Sequence, residues 1–124
     1  MLLLTLVIAL AGCTRNPASF NADLDNLLRK AQQNGKIVML ELGSVGCISC
    51  DNMKPVMESL RRNYSKSLEV ISVDVKEHRQ IATRYGVYAI PVQVFLDRQG
   101  KEFHRHVGYY AYDKIEPVLK TVGI

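Results

Sequence analysis

The sequence predicts an α/β sandwich around a mixed sheet of about four strands, and three observations carry that expectation. Segments of helical and strand-like period alternate in the order α-β-α-β-α-β-β-α, the pattern of a layered α/β domain. The stretch Lys36–Leu42 is a continuous apolar run broken only by Glu41, as befits a central strand covered on both faces. Near the C-terminus, Asp97-Arg98-Gln99-Gly100 separates two short strand-like segments and marks a hairpin, so the last two strands should run antiparallel.

Each element has its own signal. A first helix is expected from Ala22 to Gln33: Leu24, Leu27, Leu28 and Ala31 recur at helical spacing, Asn21 offers an N-cap oxygen, and Asn34-Gly35 supplies a left-handed stop. The strand Lys36–Leu42 then feeds a loop that leads to two cysteines. A longer helix follows from Cys47 to about Tyr64, with Met53, Val56, Met57 and Leu60 on its inner face and Pro55 deep enough inside to kink it. Leu68–Val75 reads as a second strand and Gln80–Tyr85 as a short helix ended by Gly86. Val92–Leu96 and Glu102–Val107 form the hairpin, and Tyr112–Val122 closes the chain as a helix. The order reads as two parallel crossover units followed by the hairpin.

At 124 residues, 48% of them hydrophobic and 23% charged, the chain has the size of one domain with its own core. The net charge of +4 comes from Lys and Arg scattered among acidic residues, which argues against nucleic acid as the main partner. Residues Leu2 to Ala11 are almost wholly apolar, too short to span a membrane but suited to the h-region of an export signal. The ending Leu10-Ala11-Gly12-Cys13 resembles a bacterial lipobox. That resemblance implies a signal peptide at 1–12, lipidation of Cys13 as the new N-terminus, and a polar tether over 13–21.

The chemistry centres on Cys47-Ile48-Ser49-Cys50, two thiols one helical turn apart after an apolar strand. At a helix start the unpaired backbone N–H groups and the positive end of the dipole stabilise a thiolate, so Cys47 is the expected nucleophile. Cys50 lies on the same helix face, where it can attack the mixed disulfide and resolve it. Zinc, the rival use of a C-x-x-C pair, needs two more ligands at matching spacing, and His104 and His106 stand two apart on a probable strand, so no metal is expected.

The strand before the motif, Cys47-Ile48-Ser49-Cys50 itself, Pro55, Tyr85-Gly86-Val87, Ile90-Pro91 and Gly108 together resemble the thioredoxin family from Ala22 to the end of the chain. The resemblance implies a thioredoxin-like α/β/α sandwich over 22–124, with no cofactor beyond the dithiol. It implies further that the bond before Pro91 is cis and faces the dithiol, that the backbone of Ile90 pairs with a substrate peptide, and that Glu41, six residues before Cys47, is a buried acid managing the proton of Cys50. The chain also departs from the family pattern. It has no Trp, Val45-Gly46 occupies the approach to the motif, Asp51 stands where a basic residue often follows it, and Ser72 stands where a lysine commonly partners the acid.

The resulting expectation is an exported, membrane-anchored lipoprotein of a bacterium, facing the periplasm or extracytoplasmic space, that acts as a protein-disulfide reductase. The absence of His between the cysteines withholds the charge that makes strong oxidants, which is why reduction leads. Family analogy implies a membrane thiol-reductant partner as electron donor and disulfide-bearing exported proteins, apocytochromes c among them, as clients. Two alternatives remain open at the level of sequence: an oxidase or isomerase using the same dithiol, and a redox-inactive module that binds peptides along the Pro91 edge.

Overall fold

In the computed structural model, which describes residues 17–124, eight elements follow one another: α1 (Pro17–Gln33), β1 (Ile37–Gly43), α2 (Ile48–Asn63), β2 (Leu68–Asp74), α3 (Arg79–Tyr85), β3 (Val92–Leu96), β4 (Glu102–Val107) and α4 (Tyr112–Lys120). The signal peptide at 1–12, the lipidation of Cys13 and the first part of the 13–21 tether fall outside the described residues. The strands form one sheet in the order β2-β1-β3-β4. β1 pairs with β2 in parallel, while β3 runs antiparallel to both β1 and β4. Every residue of β1 and β3 is buried, which is why their sequences show no alternation of apolar and polar positions.

Two cores flank the sheet. On one face Leu24, Leu28 and Ala31 of α1 and Ile81 of α3 pack on Val38, Leu40, Leu42, Ile71 and Val94. On the other, Met53, Met57 and Leu60 of α2 and Ile115 and Leu119 of α4 pack on Ile37, Met39, Val70 and Phe95. Within each strand alternate residues supply the two cores, so the period of two seen along β1 is Ile37, Met39 to one side and Val38, Leu40 to the other.

The structure corrects the sequence expectation at several places. α1 begins at Pro17 rather than Ala22, so residues 17–21 are helix and not tether. A proline suits a first helical turn, where its missing N–H has no intrahelical partner to lose. Asn21 is therefore inside the helix rather than its cap, and its side-chain amide donates to Gln80 Oε1. The second crossover is not parallel. α3 has 7 residues, about 10 Å of helix. That is too short to carry the chain back along a strand, so the chain re-enters the sheet at the end it left and β3 runs antiparallel to β1. Gly86, with φ 63°, terminates α3 in the left-handed conformation expected of it. α4 ends at Lys120 instead of Val122, because the amides of Thr121, Val122 and Gly123 bond three residues back, as tight turns.

This reversal gathers the site. The C-terminal ends of β1 and β2 and the N-terminal end of β3 lie at one end of the sheet, in the register Leu42↔Val73 and Leu42↔Val92. The loops 44–47 and 75–78 and the segment 86–91 therefore converge there.

Candidate active site

β1 ends at Gly43, and the chain turns through Ser44, Val45 and Gly46 into α2. Cys47 is the N-cap of that helix, in extended conformation (φ −106°, ψ 113°), and its Sγ accepts the backbone N–H of Cys50 at 3.2 Å. Its carbonyl accepts the Asp51 N–H at 3.0 Å, the first helical bond. The cap position that stabilises anions at a helix start is thus occupied by a sulfur. Cys47 and Cys50 form a disulfide, with Cα atoms 5.2 Å apart. Cys47 is partly accessible and Cys50 buried. An outside disulfide reaches the first sulfur, while the second is shielded behind it.

Gly43 makes room for the buried sulfur: a Cβ at that position would stand 3.1 Å from Cys50 Sγ. The approach loop is held from the neighbouring strand. Asp74 at the end of β2 accepts the Val45 N–H at 3.1 Å with one oxygen and the Lys76 and Glu77 N–H groups with the other. Burial alone would push the Asp74 carboxyl up, but these three backbone donors outweigh it and hold it below the ordinary range. Sequence reasoning missed Asp74; an aspartate closing an apolar strand before a turn is the signal that marks it.

Behind the disulfide, Glu41 is 3% exposed. Burial pushes its carboxyl up to about 7, opposed by the neighbouring Gln93 amide. Neither Glu41 oxygen reaches a hydrogen-bond partner. Glu41 and Cys50 line one cleft of about 330 Å³, together with Gly43, Met57 and Ser72. Ser72 is the register partner of Glu41 but donates to Met57 Sδ at 3.3 Å, so it gives the acid no hydrogen bond. A larger open depression of about 770 Å³ lies remote from the cysteines between α1, Arg84 and Arg105. Of its arginines, Arg84 pairs with Asp25 and Arg105 with Glu102, each at 2.7 Å, and Arg29 donates to the Asn26 side chain.

The Ile90–Pro91 peptide bond is cis and Pro91 is buried. The Pro91 carbonyl accepts the Gly108 N–H at 2.7 Å, which ties the start of β3 to the end of β4. Ile90 makes no backbone hydrogen bond with any described residue. Large apolar side chains stand exposed on these same segments: Val45 and Ile48 on either side of Cys47, Tyr88 before Ile90, and Val107 and Tyr109 around Gly108. Tyr110, by contrast, is buried against Phe95 and bonds His104 Nε2 at 3.0 Å, packing the segment before α4 onto the sheet. Among the described residues no group of three or more His, Cys, Asp and Glu side chains is placed to hold a metal ion.

A dithiol that closes on itself at the mouth of a helix, with an unpaired acid behind the inner sulfur, defines a thiol–disulfide oxidoreductase. The chain belongs to the thioredoxin-like domain family, whose sequence pattern matches residues 24–123. It is 27% identical to thioredoxin H4 of Arabidopsis thaliana over 113 residues, 91% of this chain and 90% of that one. With thioredoxin H5 of rice, Oryza sativa subsp. japonica, it shares 31% identity over 84 residues, 68% of this chain but 61% of the relative's length. The crystal structure of thioredoxin NaTrxh from Nicotiana alata superimposes with a TM-score of 0.70 at 26% identity, covering 86% of this chain and 89% of the other.

Proposed function

We propose that the protein is an exported, lipid-anchored protein-disulfide reductase. The observation that carries the exchange chemistry is the asymmetry of the pair, since Cys47 caps α2 and is accessible while Cys50 is buried beside Glu41, and the absence of His between the two cysteines favours the reductive direction. In the reduced protein the Cys47 thiolate attacks one sulfur of a client disulfide, forming a mixed disulfide as the other client sulfur leaves as a thiolate and takes a proton from solvent. Cys50 then passes its proton to the Glu41 carboxylate and attacks Cys47 Sγ. The Cys47–Cys50 bond forms, the mixed disulfide breaks, and the client leaves with its second thiol reduced. A dithiol of the membrane reductant returns two electrons and two protons to the pair.

The open backbone of Ile90 and the cis Pro91 beside it suit an extended client segment laid as an added strand. The exposed Val45, Ile48, Tyr88 and Tyr109 favour clients that are apolar around their cysteines, and among exported proteins and apocytochromes c those would be the clients taken. Leu10-Ala11-Gly12-Cys13 supports the anchor, since two acyl chains on Cys13 hold a protein at a membrane where one does not.

Two measurements test the reading. The purified protein should reduce a disulfide-bonded substrate such as insulin, with a dithiol potential closer to the about −270 mV of thioredoxin than to the about −120 mV of strong oxidants. Expressed in a bacterium, it should fractionate with membranes and begin at a lipidated Cys13 by mass spectrometry. An oxidising potential would reverse the direction, and an intact Met1 on a soluble protein would remove the anchor.

A further inference from the structure

Glu41 does not stand alone in the sheet. Ser72 on β2, Glu41 on β1, Gln93 on β3 and His106 on β4 are successive register partners and form one polar rung across all four strands. They share the face that otherwise carries Ile37, Met39, Leu68, Val70 and Phe95. The two ends of the rung are engaged elsewhere: Ser72 Oγ with Met57 Sδ at 3.3 Å, and His106 Nε2 with the Tyr109 carbonyl at 3.0 Å. Gln93, 0% exposed, is left as the polar side chain available to Glu41.

The Gln93 amide also serves the substrate side. Its Nε2 donates to the Gly108 carbonyl at 3.2 Å, and the Gly108 N–H donates to the Pro91 carbonyl at 2.7 Å. An amide nitrogen carries two hydrogens, so one remains for Glu41. At its other end Gln93 Oε1 is buried with no partner, as are both oxygens of Glu41. Three unpaired polar atoms on adjacent strands in direct register are not explained by packing, because each costs about 1–3 kcal/mol when left without a hydrogen bond.

We propose that Gln93 is a positioning residue for the dithiol reaction: its amide, in direct register with Glu41, turns to pair with the otherwise unpartnered carboxyl in either protonation state and couples that state to the Gly108–Pro91 turn. The inference rests on the reductase reading above. An ionised carboxylate takes the second Nε2 hydrogen; a protonated one donates its O–H to Oε1. When Cys50 yields its proton to Glu41 in the resolving step, the amide must turn from the first arrangement to the second, which slackens its bond to the Gly108 carbonyl. The step that frees the client therefore loosens the turn that holds it. Other charged or titratable groups face the same cleft. Cys50, Lys54, Glu58 and Arg61 come from α2 and Asp74 from β2, and none of them hydrogen-bonds the Glu41 carboxyl. Lys54 pairs with Asp51 at 2.7 Å and Arg61 donates to the Val70 carbonyl at 3.1 Å.

Gln93→Met tests this, since it keeps the length of the side chain and removes both ends of the amide. The readouts are carbon-13 titration of the Glu41 carboxyl and nitrogen-15 titration of the Gly108 amide in the oxidised protein, with single-turnover resolution followed against pH. The Glu41 midpoint should rise by about one pH unit, because burial is then unopposed. The Gly108 amide should follow that midpoint in the wild type and lose it in the variant. The resolution profile should shift with Glu41, and in a Glu41→Gln background Gln93→Met should move no profile. An unmoved Glu41 midpoint in a folded variant overturns the proposal, as does an equal shift of the resolution profile without Glu41. Gln93→Asn, which withdraws the amide by one methylene, should give the same upward shift and serves if the Met variant does not fold. The titrations need no redox activity, so a wild type that fails to reduce insulin defeats the functional reading while the Glu41 and Gly108 midpoints still decide the role of Gln93.

Discussion

Replacing Glu41 by Gln should stabilise the oxidised protein by an amount that grows as pH rises from about 4.5 to about 7 and is constant above that. Burial moves the carboxyl from 4.5 to about 7 in the folded state. Below 4.5 the acid is protonated in both states and costs nothing through ionisation. Between about 4.5 and about 7 the unfolded chain releases the proton while the folded one retains it, so stability falls with rising pH; above about 7 the loss is complete. At 1.36 kcal/mol per unit, the shift amounts to about 3 kcal/mol. Glu41 is 3% exposed, so solvent does little to screen this. The introduced amide carries its own packing cost, but that cost is independent of pH, which makes the difference between two pH values the quantity to measure. Urea unfolding of the oxidised wild type and Glu41→Gln at about pH 4.5 and about pH 8.5, with equal slopes, should show the variant gaining about 3 kcal/mol between the two. Working on the disulfide form keeps Cys50 from titrating. If the two proteins lose the same stability between those pH values, Glu41 does not hold a burial-raised proton, and its role as acceptor for Cys50 falls with it.

Cys47→Ser should abolish insulin reduction, whereas Cys50→Ser should accumulate mixed disulfides with clients; alkylation of Cys50 ahead of Cys47 in the reduced protein near neutral pH would reverse the roles. Gly43→Ala places a methyl 3.1 Å from Cys50 Sγ and should cost about 1–3 kcal/mol of overpacking. It should slow resolution several-fold while leaving the first attack by Cys47 near its wild-type rate, and equal slowing of both steps in stopped-flow would contradict this placement of the two sulfurs.

Much of the architecture was legible because it rests on local signals. The buried run of β1, the Asp97–Gly100 turn and the Gly86 stop each act within a few residues, and all stand where the pattern puts them. The direction of β3 was not legible from the α-β-α-β order, since it depends on the length of α3 against the length of a strand, a comparison in three dimensions. The start of α1 was hidden for a different reason: the small and polar residues around Pro17 resemble a linker in composition, while the helix is set by the packing of Phe20, Leu24 and Leu28 on the sheet. At the site, the two cysteines were marked by spacing and Glu41 by the resemblance, which puts a buried acid six residues before Cys47. Asp74 and Gln93 were not found, although Gln93 interrupts Val92–Leu96 as Glu41 interrupts β1.

Those two interruptions belong together. A strand buried on both faces has no reason of stability to carry a polar side chain, and placing an acid and an amide in direct register on β1 and β3 leaves three buried polar atoms without partners. Replacing both by apolar residues would relieve that cost, so the fold itself does not call for them. What the pair does offer is a carboxyl whose proton affinity sits near neutrality, beside the inner sulfur of a disulfide and one side chain away from the turn that presents Pro91. A group poised there can accept the thiol proton at the pH where the exchange runs, which a solvated glutamate near its ordinary value would do less readily. The instability carried by Glu41 and its effect on the reaction are therefore two readings of one displaced proton equilibrium, and the substitution that removes the first should also impair the second.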